Sequence, residues 1–180
     1  MEHLGIKVDI KNIPELDKNY IPLHKFNAAF LEGAKKPLGI AVERAGGEVA
    51  VVNTFIHGTP DFAEADKYYA DRMVKTMLWL FGGWKVYISG DESIYEYIRA
   101  AYTPEGSRAF DADFMAGVYE RPFEVVSCTE LPAEKSNPQA IGRHLAGCRI
   151  CFDAGGSDRK VSAVIDGRTV YSEEVVWHPK

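Results

Sequence analysis

Residues 149–167 have the sequence Arg149-Ile-Cys-Phe-Asp153-Ala-Gly155-Gly156-Ser157-Asp-Arg-Lys160-Val-Ser-Ala-Val-Ile-Asp166-Gly167. An apolar run leads to an acidic residue, a Gly-Gly-Ser turn follows, and a second apolar run closes on Asp-Gly. This pattern predicts a β-hairpin, because glycine and Asp-Gly supply the backbone conformations that tight turns require. An acidic residue at a strand end, followed by glycines with exposed amide groups, also predicts that the tip approaches an anionic group.

The residue types at this tip favour the binding of a nucleotide phosphate. The carboxylate of Asp153 is suited to hold Mg²⁺, usually through water, beside phosphate oxygens. Gly155 and Gly156 leave the backbone without Cβ atoms, so that oxygens can approach the amide groups, while Ser157 adds a hydroxyl and Lys160 a positive charge. These residues fit phosphoryl transfer, which depends mainly on positioning and charge neutralisation. The alternative is a plain hairpin with a glycine turn.

The segment from Asp153 to Gly167 resembles the first phosphate-binding motif of the sugar-kinase, actin and heat-shock ATPase superfamily. Within it, the segment is most similar to that of the repressor–ORF–kinase (ROK) group and related glucokinases, whose pattern is Asp-x-Gly-Gly-Thr-x-x-Lys, an apolar strand and an Asp-Gly turn. The chain matches the Asp, both Gly, the spacing to Lys160 and the closing turn, and it has Ser157 where Thr is usual. The resemblance covers about residues 147–180.

This resemblance implies an ATP-dependent kinase of a hexose or similar sugar, with ATP and Mg²⁺ as cofactors. It implies that Asp153 serves the Mg²⁺–phosphate region, and that Gly155, Gly156, Ser157 and Lys160 line the phosphate side. The catalytic Asp, the sugar-binding Glu and His and the zinc motif of such kinases match no segment of this chain. We therefore expect the N-terminal part of a longer kinase, inactive by itself. Two alternatives remain open: a non-catalytic regulatory or interaction domain of a ROK-like sugar-sensing protein, and a branch of the superfamily that acts on an acyl or amide substrate.

The composition is that of an ordinary globular protein and argues against several functional classes. Hydrophobic residues make up 46% of the 180 residues, enough for a sizeable core. The net charge of −5 argues against general nucleic-acid binding, which needs a basic face. No apolar run approaches the roughly 18 residues that span a bilayer, and the N-terminus lacks the profile of a signal peptide. The three cysteines indicate reduced thiols and a cytoplasmic setting, with a homodimer as one option for the assembly.

Four segments are expected along the chain. Residues 1–36 are predicted to be an N-terminal arm that wraps over a core, because prolines interrupt them. Residues 37–129 are predicted to be an α/β accessory domain, and residues 130–147 a polar linker with a short helix. Residues 148–180 are expected to be the truncated start of an actin-like ATPase domain. The alternative for this last segment is that its strands add to the sheet of the accessory domain.

Hydrophobic periodicity and turn residues predict the order β-β-α-β-α-(α)-β in the accessory domain, which indicates an α/β layered domain with a mixed sheet. Thr59 or Asp61 is predicted to cap the first long helix, and Asp91 the second. The predicted strands are 8–13, 38–44, 48–56, 84–89, 122–128 and 169–177, and the predicted helices are 61–81, 91–101, 114–119 and 137–147.

Residues 38–56 and 149–171 share a strand–turn–strand pattern around a Gly-Gly pair. One interpretation is an internal repeat, in which residues 37–128 form a degenerate half-domain of actin-like or ribonuclease-H-like topology. Arg44 stands where Asp153 stands in the second copy, so the first copy would not hold a metal in the same way. The other interpretation is an unrelated α/β domain with a commonplace Gly-Gly hairpin.

Other residues of chemical interest are interpreted as structural. Cys148 and Cys151 form a C-x-x-C pair, but a zinc site usually needs a second pair of ligands at matching spacing. The acidic pair Asp111 and Asp113 is interpreted as solvated charge, and Trp79 as part of a core or an interface.

Overall fold

The structure, a computed structural model, describes residues 1–137 and 146–177. The chain divides into two compact units, Met1–Asn137 and Pro138–Lys180. The first unit has helices and a mixed sheet, and the described part of the second unit is a single antiparallel sheet. Among the described residues, no helix combines the length and the apolar character needed to cross a membrane.

The first unit confirms the prediction of an α/β domain with a mixed sheet. Its four-stranded sheet has the order β4-β3-β5-β6, in which the β5–β6 pair is parallel and the other pairs are antiparallel. A two-stranded sheet, β1-β2, stands before it in the chain. The elements are β1 (Glu2–His3), β2 (Ile6–Lys7), α1 (Leu23–Gly33), β3 (Lys36–Glu43), β4 (Val49–Ile56), α2 (Ala63–Phe81), β5 (Lys85–Ser89), α3 (Glu92–Ala101), α4 (Ala109–Tyr119) and β6 (Glu124–Ser127).

Strand β3 lies inside the four-stranded sheet because its residues tolerate burial. It pairs with β4 on one side and with β5 on the other. Leu38, Ile40 and Val42 are almost completely buried on one face and belong to the hydrophobic core. On the other face, a Cβ added to Gly39 would stand 2.7 Å from a methyl carbon of Leu131. The small residue therefore lets the segment after β6 pack closely against the sheet.

Helix α2 packs on the core face of the sheet. Its apolar residues recur at intervals of three and four, so that one side of the helix is buried. The hydroxyl groups of Thr54 on β4 and Tyr69 on α2 share a buried hydrogen bond of 2.6 Å. The buried apolar residues of α2 are Ala65, Tyr69, Ala70, Val74, Met77 and Leu78.

The ends of α2 differ in part from the prediction of a helix over 61–81. A 3-10 turn, Pro60–Phe62, precedes the helix. Neither Thr59 nor Asp61 caps it through a side chain, so that prediction is wrong. At the other end the prediction is confirmed, because Gly82 takes a φ of 74° and its amide donates to the carbonyl of Leu78.

The first 36 residues contain a helix that the sequence analysis did not predict. The helix α1 buries Phe26 and Phe30 in the core, and their spacing of four residues was the available signal. The predicted strand 8–13 does not form. Instead β1 and β2 pair around Leu4-Gly5, both of which have positive φ, because these two residues supply the turn of a short hairpin.

Two further segments differ from expectation. Helix α4 extends over eleven residues, whereas only 114–119 was predicted. The segment expected to be a linker is partly fixed to the sheet, because Val49 and Lys135 exchange backbone hydrogen bonds of 2.9 and 3.1 Å. Most of the helix predicted over 137–147 falls on residues 138–145, which lie outside the described residues.

The second unit confirms the predicted hairpin and the strand after it. Strands β7 (Cys148–Ala154), β8 (Asp158–Ile165) and β9 (Arg168–Val176) form an antiparallel sheet with β8 in the middle. Asp166 and Gly167, with φ of 48° and 80°, form the two-residue turn between β8 and β9. This conformation matches the right-handed twist of the strands, which is why Asp-Gly is a strong hairpin signal.

Two observations count against an internal repeat. In the first unit the inner strand of the hairpin is its first strand, β3, whereas in the second unit the second strand, β8, is the inner one. The glycines also differ, because Gly46 and Gly47 have φ of 71° and 67°, whereas Gly155 and Gly156 do not have positive φ.

The N-cap of α3 gives a test of the fold. Asp91 Oδ1 accepts hydrogen bonds from the amide of Ile94 at 2.9 Å and from Ser93 Oγ at 2.6 Å, and Lys36 Nζ lies 2.5 Å from Oδ2. Burial alone would raise the pKa of Asp91, but these donors hold it below its ordinary value. We expect Asp91→Ala to cost about 1 kcal/mol of unfolding free energy at neutral pH, measured by urea denaturation.

The difference in unfolding free energy between wild type and Asp91→Ala should depend on pH in a defined direction. A carboxylate with a lowered pKa stabilises the fold above its unfolded pKa of about 4, and this stabilisation is lost as the pH falls through the folded pKa. The difference between wild type and Asp91→Ala should therefore shrink between about pH 5 and pH 3. Asp61→Ala is the control, because Asp61 makes no cap. An undiminished difference at low pH would contradict the role of the carboxylate.

Candidate functional site

The structure brings the five predicted phosphate-site residues to one hairpin tip. Asp153 is the last residue but one of β7, it is exposed, and Lys160 stands directly opposite it on β8. Gly155, Gly156 and Ser157 make the connection between these strands. The carboxylate, the glycines and the hydroxyl therefore share one small region, as the spacing in the sequence predicts.

Trp177 holds this tip, and the sequence analysis did not identify it. Its indole Nε1 donates to the carbonyl of Gly155 at 2.9 Å, and its amide donates to the carbonyl of Ser157 at 3.1 Å. Two of the tip's carbonyl groups are thus held by the residue that follows β9. The apolar run Val175-Val176-Trp177 is the available signal in the sequence, but the antiparallel return of β9 is needed to place the indole beside the tip.

Lys160 lies among carboxylates. Its Nζ is 3.2 Å from Asp158 Oδ2 and 3.7 Å from Glu174 Oε1. The hydrogen bond with Asp158 is the main reason why the pKa of Lys160 is raised, and hydrogen bonding to Lys160 lowers the pKa of Asp158. Together with Asp153 across the strand pair, three carboxylates surround one ammonium group. The tip therefore carries a net negative charge before any ligand arrives.

The two glycines of the tip differ in how closely other atoms of the protein surround them. A Cβ added to Gly155 would stand 2.8 Å from Asp158 Oδ1 and 3.0 Å from the Asp158 carbonyl oxygen, closer than real Cβ contacts normally are. A Cβ added to Gly156 would have no heavy atom within 4 Å, and Gly156 does not have positive φ. The packing of the described residues requires a small residue at 155 but not at 156, where the tip faces open space.

The two faces of the three-stranded sheet differ in chemistry. The face of Asp153 also carries Lys160 and Glu174, because these residues are opposite each other in the register. The other face carries Ile150 and Phe152, whose exposed fractions are 81% and 66%. A groove of about 300 Å³ runs beside the acidic residues and includes Cys151, Asp153, Lys160, Ser162, Ser172 and Glu174 in its lining.

A second polar cluster lies in the first unit, between α2 and α4. The guanidinium of Arg108 donates to both carboxylate oxygens of Asp71, through Nε at 2.8 Å and through Nη2. Asp111 is 2% exposed and accepts from Trp79 Nε1 at 2.7 Å and from Lys75 Nζ at 3.2 Å. The interpretation of Asp111 as solvated charge is therefore wrong, because α4 turns this residue towards α2.

This cluster has the character of a structural network. Its carboxylates are held by cations and by an indole donor, so that buried charge is paired. Tyr102 is buried beside this cluster. The pKa of its hydroxyl is raised, mainly because the side chain is buried and also because the carboxylates of Asp71 and Asp111 are near. Arg108 contacts both Asp71 on α2 and Asp111 on α4, and its Nη1 lies 3.8 Å from Asp111 Oδ2. Arg108 therefore joins the two helices.

The cysteines form no closed site among the described residues. Cys148 and Cys151 are exposed free thiols on β7, three positions apart and so pointing to opposite faces, and Cys128 is a free thiol in the first unit. In residues 1–137 and 146–177 no three His, Cys, Asp or Glu side chains form a group suited to a metal ion. A Mg²⁺ ion held by one carboxylate, water and phosphate oxygens needs no such group.

Comparison with protein families finds no family model that matches the chain, and comparison with curated proteins finds no matching relative.

The difference between the two tip glycines gives a prediction. Gly156→Ala should leave the unfolding free energy within about 0.5 kcal/mol of wild type, because the added methyl group meets no atom. Gly155→Ala should destabilise the second unit, because its methyl group meets Asp158. Residue-specific amide hydrogen exchange in β7 and β8 measures both changes. Equal loss of protection in the two variants would contradict the packing described for the tip.

The network between α2 and α4 gives another prediction. Arg108→Met should cost about 3–5 kcal/mol of unfolding free energy, because it leaves the carboxylate of Asp71 buried and unpaired. Arg99→Met is the matched control, since Arg99 forms an exposed pair with Glu96 and its loss should hardly change the denaturation midpoint. Urea denaturation followed by circular dichroism compares them, and an equally small effect in both variants would contradict the structural role of Arg108.

Proposed function

We propose that the β7–β8 hairpin binds the phosphates of Mg²⁺–ATP in an ATP-dependent sugar kinase of the ROK type. The observation that carries the proposal is the open tip at Gly156, next to the exposed carboxylate of Asp153. The packing of the described residues does not require a glycine at position 156. The approach of a ligand to the backbone would explain why a glycine is found there. A phosphate oxygen is such a ligand, since it accepts hydrogen bonds from backbone amides.

The donors at the tip fit a hard divalent cation. Asp153 supplies a carboxylate, the ligand type that Mg²⁺ prefers, which would hold the ion together with water and phosphate oxygens. Asp158 and Glu174 are paired with Lys160, which offsets part of the charge of the tip. When bound, Mg²⁺ supplies the positive charge that lets a polyphosphate approach an acidic surface. In this proposal Asp153 orients the ion through water, Ser157 donates its hydroxyl to a phosphate oxygen, and Trp177 keeps the tip in place.

The strand order supports a finer assignment of the fold. We infer that β7, β8 and β9 correspond to the first three strands of an actin-like ATPase domain, with the phosphate loop between the first two. The uncovered apolar residues Ile150 and Phe152 then belong to the face that the remainder of such a domain covers. The first unit is an accessory α/β domain in this proposal. The kinase phosphorylates a hexose-type sugar and works in the cytoplasm, in keeping with three free thiols.

A regulatory or interaction role in a sugar-sensing protein is the second candidate. The observation that favours it is in the first unit, where Trp79, Phe110 and Phe114 stack on one another although 48%, 70% and 42% of their surfaces are exposed. Exposed contiguous aromatic surface is typical of binding sites. In this alternative the hairpin keeps the fold of the kinase without catalysis.

Substitution of Asp153 tests the proposed function. Titration of the chain with Mg²⁺–ATP should shift the amide resonances of Gly156 and Ser157 and the indole resonance of Trp177 in nitrogen–proton correlation spectra. Asp153→Asn should weaken this binding about 10- to 100-fold, the range typical for loss of a residue that orients a metal through its outer shell. The same variant should remove the difference between titrations with and without Mg²⁺.

The control for this experiment is Asp9→Asn, an exposed acidic residue of the first unit that undergoes the same change of charge. It should leave the titration unchanged. Equal affinities of wild type and Asp153→Asn would overturn the role of Asp153. Titration of the wild type to millimolar Mg²⁺–ATP without any shift at the tip would overturn phosphate binding by the hairpin.

A further inference from the structure

Helix α4 has the composition of a buried helix but is half exposed. Its sequence, Ala109-Phe-Asp-Ala-Asp-Phe-Met-Ala-Gly-Val-Tyr119, is apolar on nearly every side. Helices that are apolar all round are normally buried on all sides. In the first unit, however, only Asp111, Ala112 and Met115 of this helix are buried. The residues that the structure describes in the first unit thus leave a large part of an apolar helix in contact with water.

The exposed side of α4 carries a continuous apolar ridge. Phe110, Phe114 and Val118 follow one another at intervals of four residues, and Trp79 from α2 stacks on both phenylalanines, with ring centroids 6.5 and 5.1 Å away. The four side chains, which we call the aromatic ridge, are 42–70% exposed. At roughly 150–250 Å² for each aromatic side chain, the ridge exposes on the order of 400 Å² of apolar surface.

A cleft of about 530 Å³ runs along the neighbouring side of the same helix. Small residues of α4, Ala109, Ala112 and Ala116, line it together with Tyr102 and Phe123, which stack at 5.2 Å. Phe110 belongs both to the ridge and to the rim of the cleft. Asp113 also lines the cleft. One surface of the first unit therefore carries an apolar projection beside a mostly apolar recess.

A second copy of the chain is the occupant that fits this surface. A two-fold interface brings the same patch of both subunits together, so a patch with a projection and a recess is self-complementary. The ridge supplies about half of the roughly 800 Å² that each partner buries in a standard interface, and the cleft walls supply further area. The exposed part of α4 carries one charged residue, Asp113, so like-charge repulsion between two copies is small. A membrane surface fits less well, because α4 contains no Lys or Arg.

We propose that the protein forms a homodimer through α4, in which the aromatic ridge of each subunit packs into the cleft of the other. Phe110 is the central contact, because it is the most exposed member of the ridge and stands at the rim of the cleft. Trp79 is buried on assembly. The interface lies in the first unit and does not depend on the nucleotide role proposed for the second.

The oligomeric state of the full 180-residue chain tests this proposal. Sedimentation velocity over a range of concentrations should show a dimer for the wild type, and Trp79 fluorescence should shift to shorter wavelength as the dimer forms. Phe110→Asp should raise the dimer dissociation constant about 100-fold or more, the effect expected for a central aromatic contact. Ala116→Trp should weaken the dimer too, because the indole fills the cleft that receives the ridge.

Phe55→Asp is the matched control, since Phe55 is a phenylalanine of β4 that is 47% exposed and lies outside the aromatic ridge. This variant should dimerise like the wild type. Circular dichroism shows whether the variants stay folded, which is expected because residue 110 is 70% exposed. A wild type that stays monomeric, or a dimer that survives Phe110→Asp, would overturn the proposal. Persistence of the dimer in Ala116→Trp would exclude the packing of the ridge into the cleft.

Discussion

The hydrogen bonding of strand β3 along both of its edges is the constraint on which the first unit depends. A strand with neighbours on both sides and packing on both faces must be built from residues that need no water, and Leu38, Ile40 and Val42 meet this condition. Its two partners then determine where the chain must cross over the sheet, and α2 makes the crossing between β4 and β5. The buried bond between Thr54 and Tyr69 holds that helix to the sheet.

Helix α4 illustrates how this arrangement creates both structure and surface. The pairing of Arg108 with Asp71 and the burial of Asp111 fix one side of α4 against α2. Because these charges occupy the inner side, the phenylalanines at intervals of four residues are left on the outer side. A buried charge network and an exposed aromatic ridge are therefore two consequences of one helix orientation. The same orientation explains why Asp111 is buried, because it brings this carboxylate to Trp79 and Lys75 of α2.

The second unit is organised differently, around turns rather than around a core. The Asp166-Gly167 turn and the tip at Gly155–Ser157 set the register of β7, β8 and β9, and this register places Asp153, Lys160 and Glu174 side by side. The indole of Trp177 adds a hydrogen bond that ties the end of β9 back to the tip. The arrangement of these residues thus depends on local backbone geometry, which is the reason why a short sequence pattern was enough to predict that they come together.

The sequence alone determined the features that local chemistry controls. Each of these features depends on residues close together in the chain, so the sequence predicts it directly. They are the hydrophobic repeats of two and four residues, the glycines after α2, the Asp91 cap and the Asp-Gly turn. Tertiary structure decided the rest. Three contacts are between residues that lie from 22 to 86 positions apart in the chain, and no local pattern encodes them. They are the contact of Asp111 with Trp79, that of Trp177 with the tip, and the pairing of Val49 with Lys135. Their energies come from partners that only the folded chain brings within hydrogen-bonding distance.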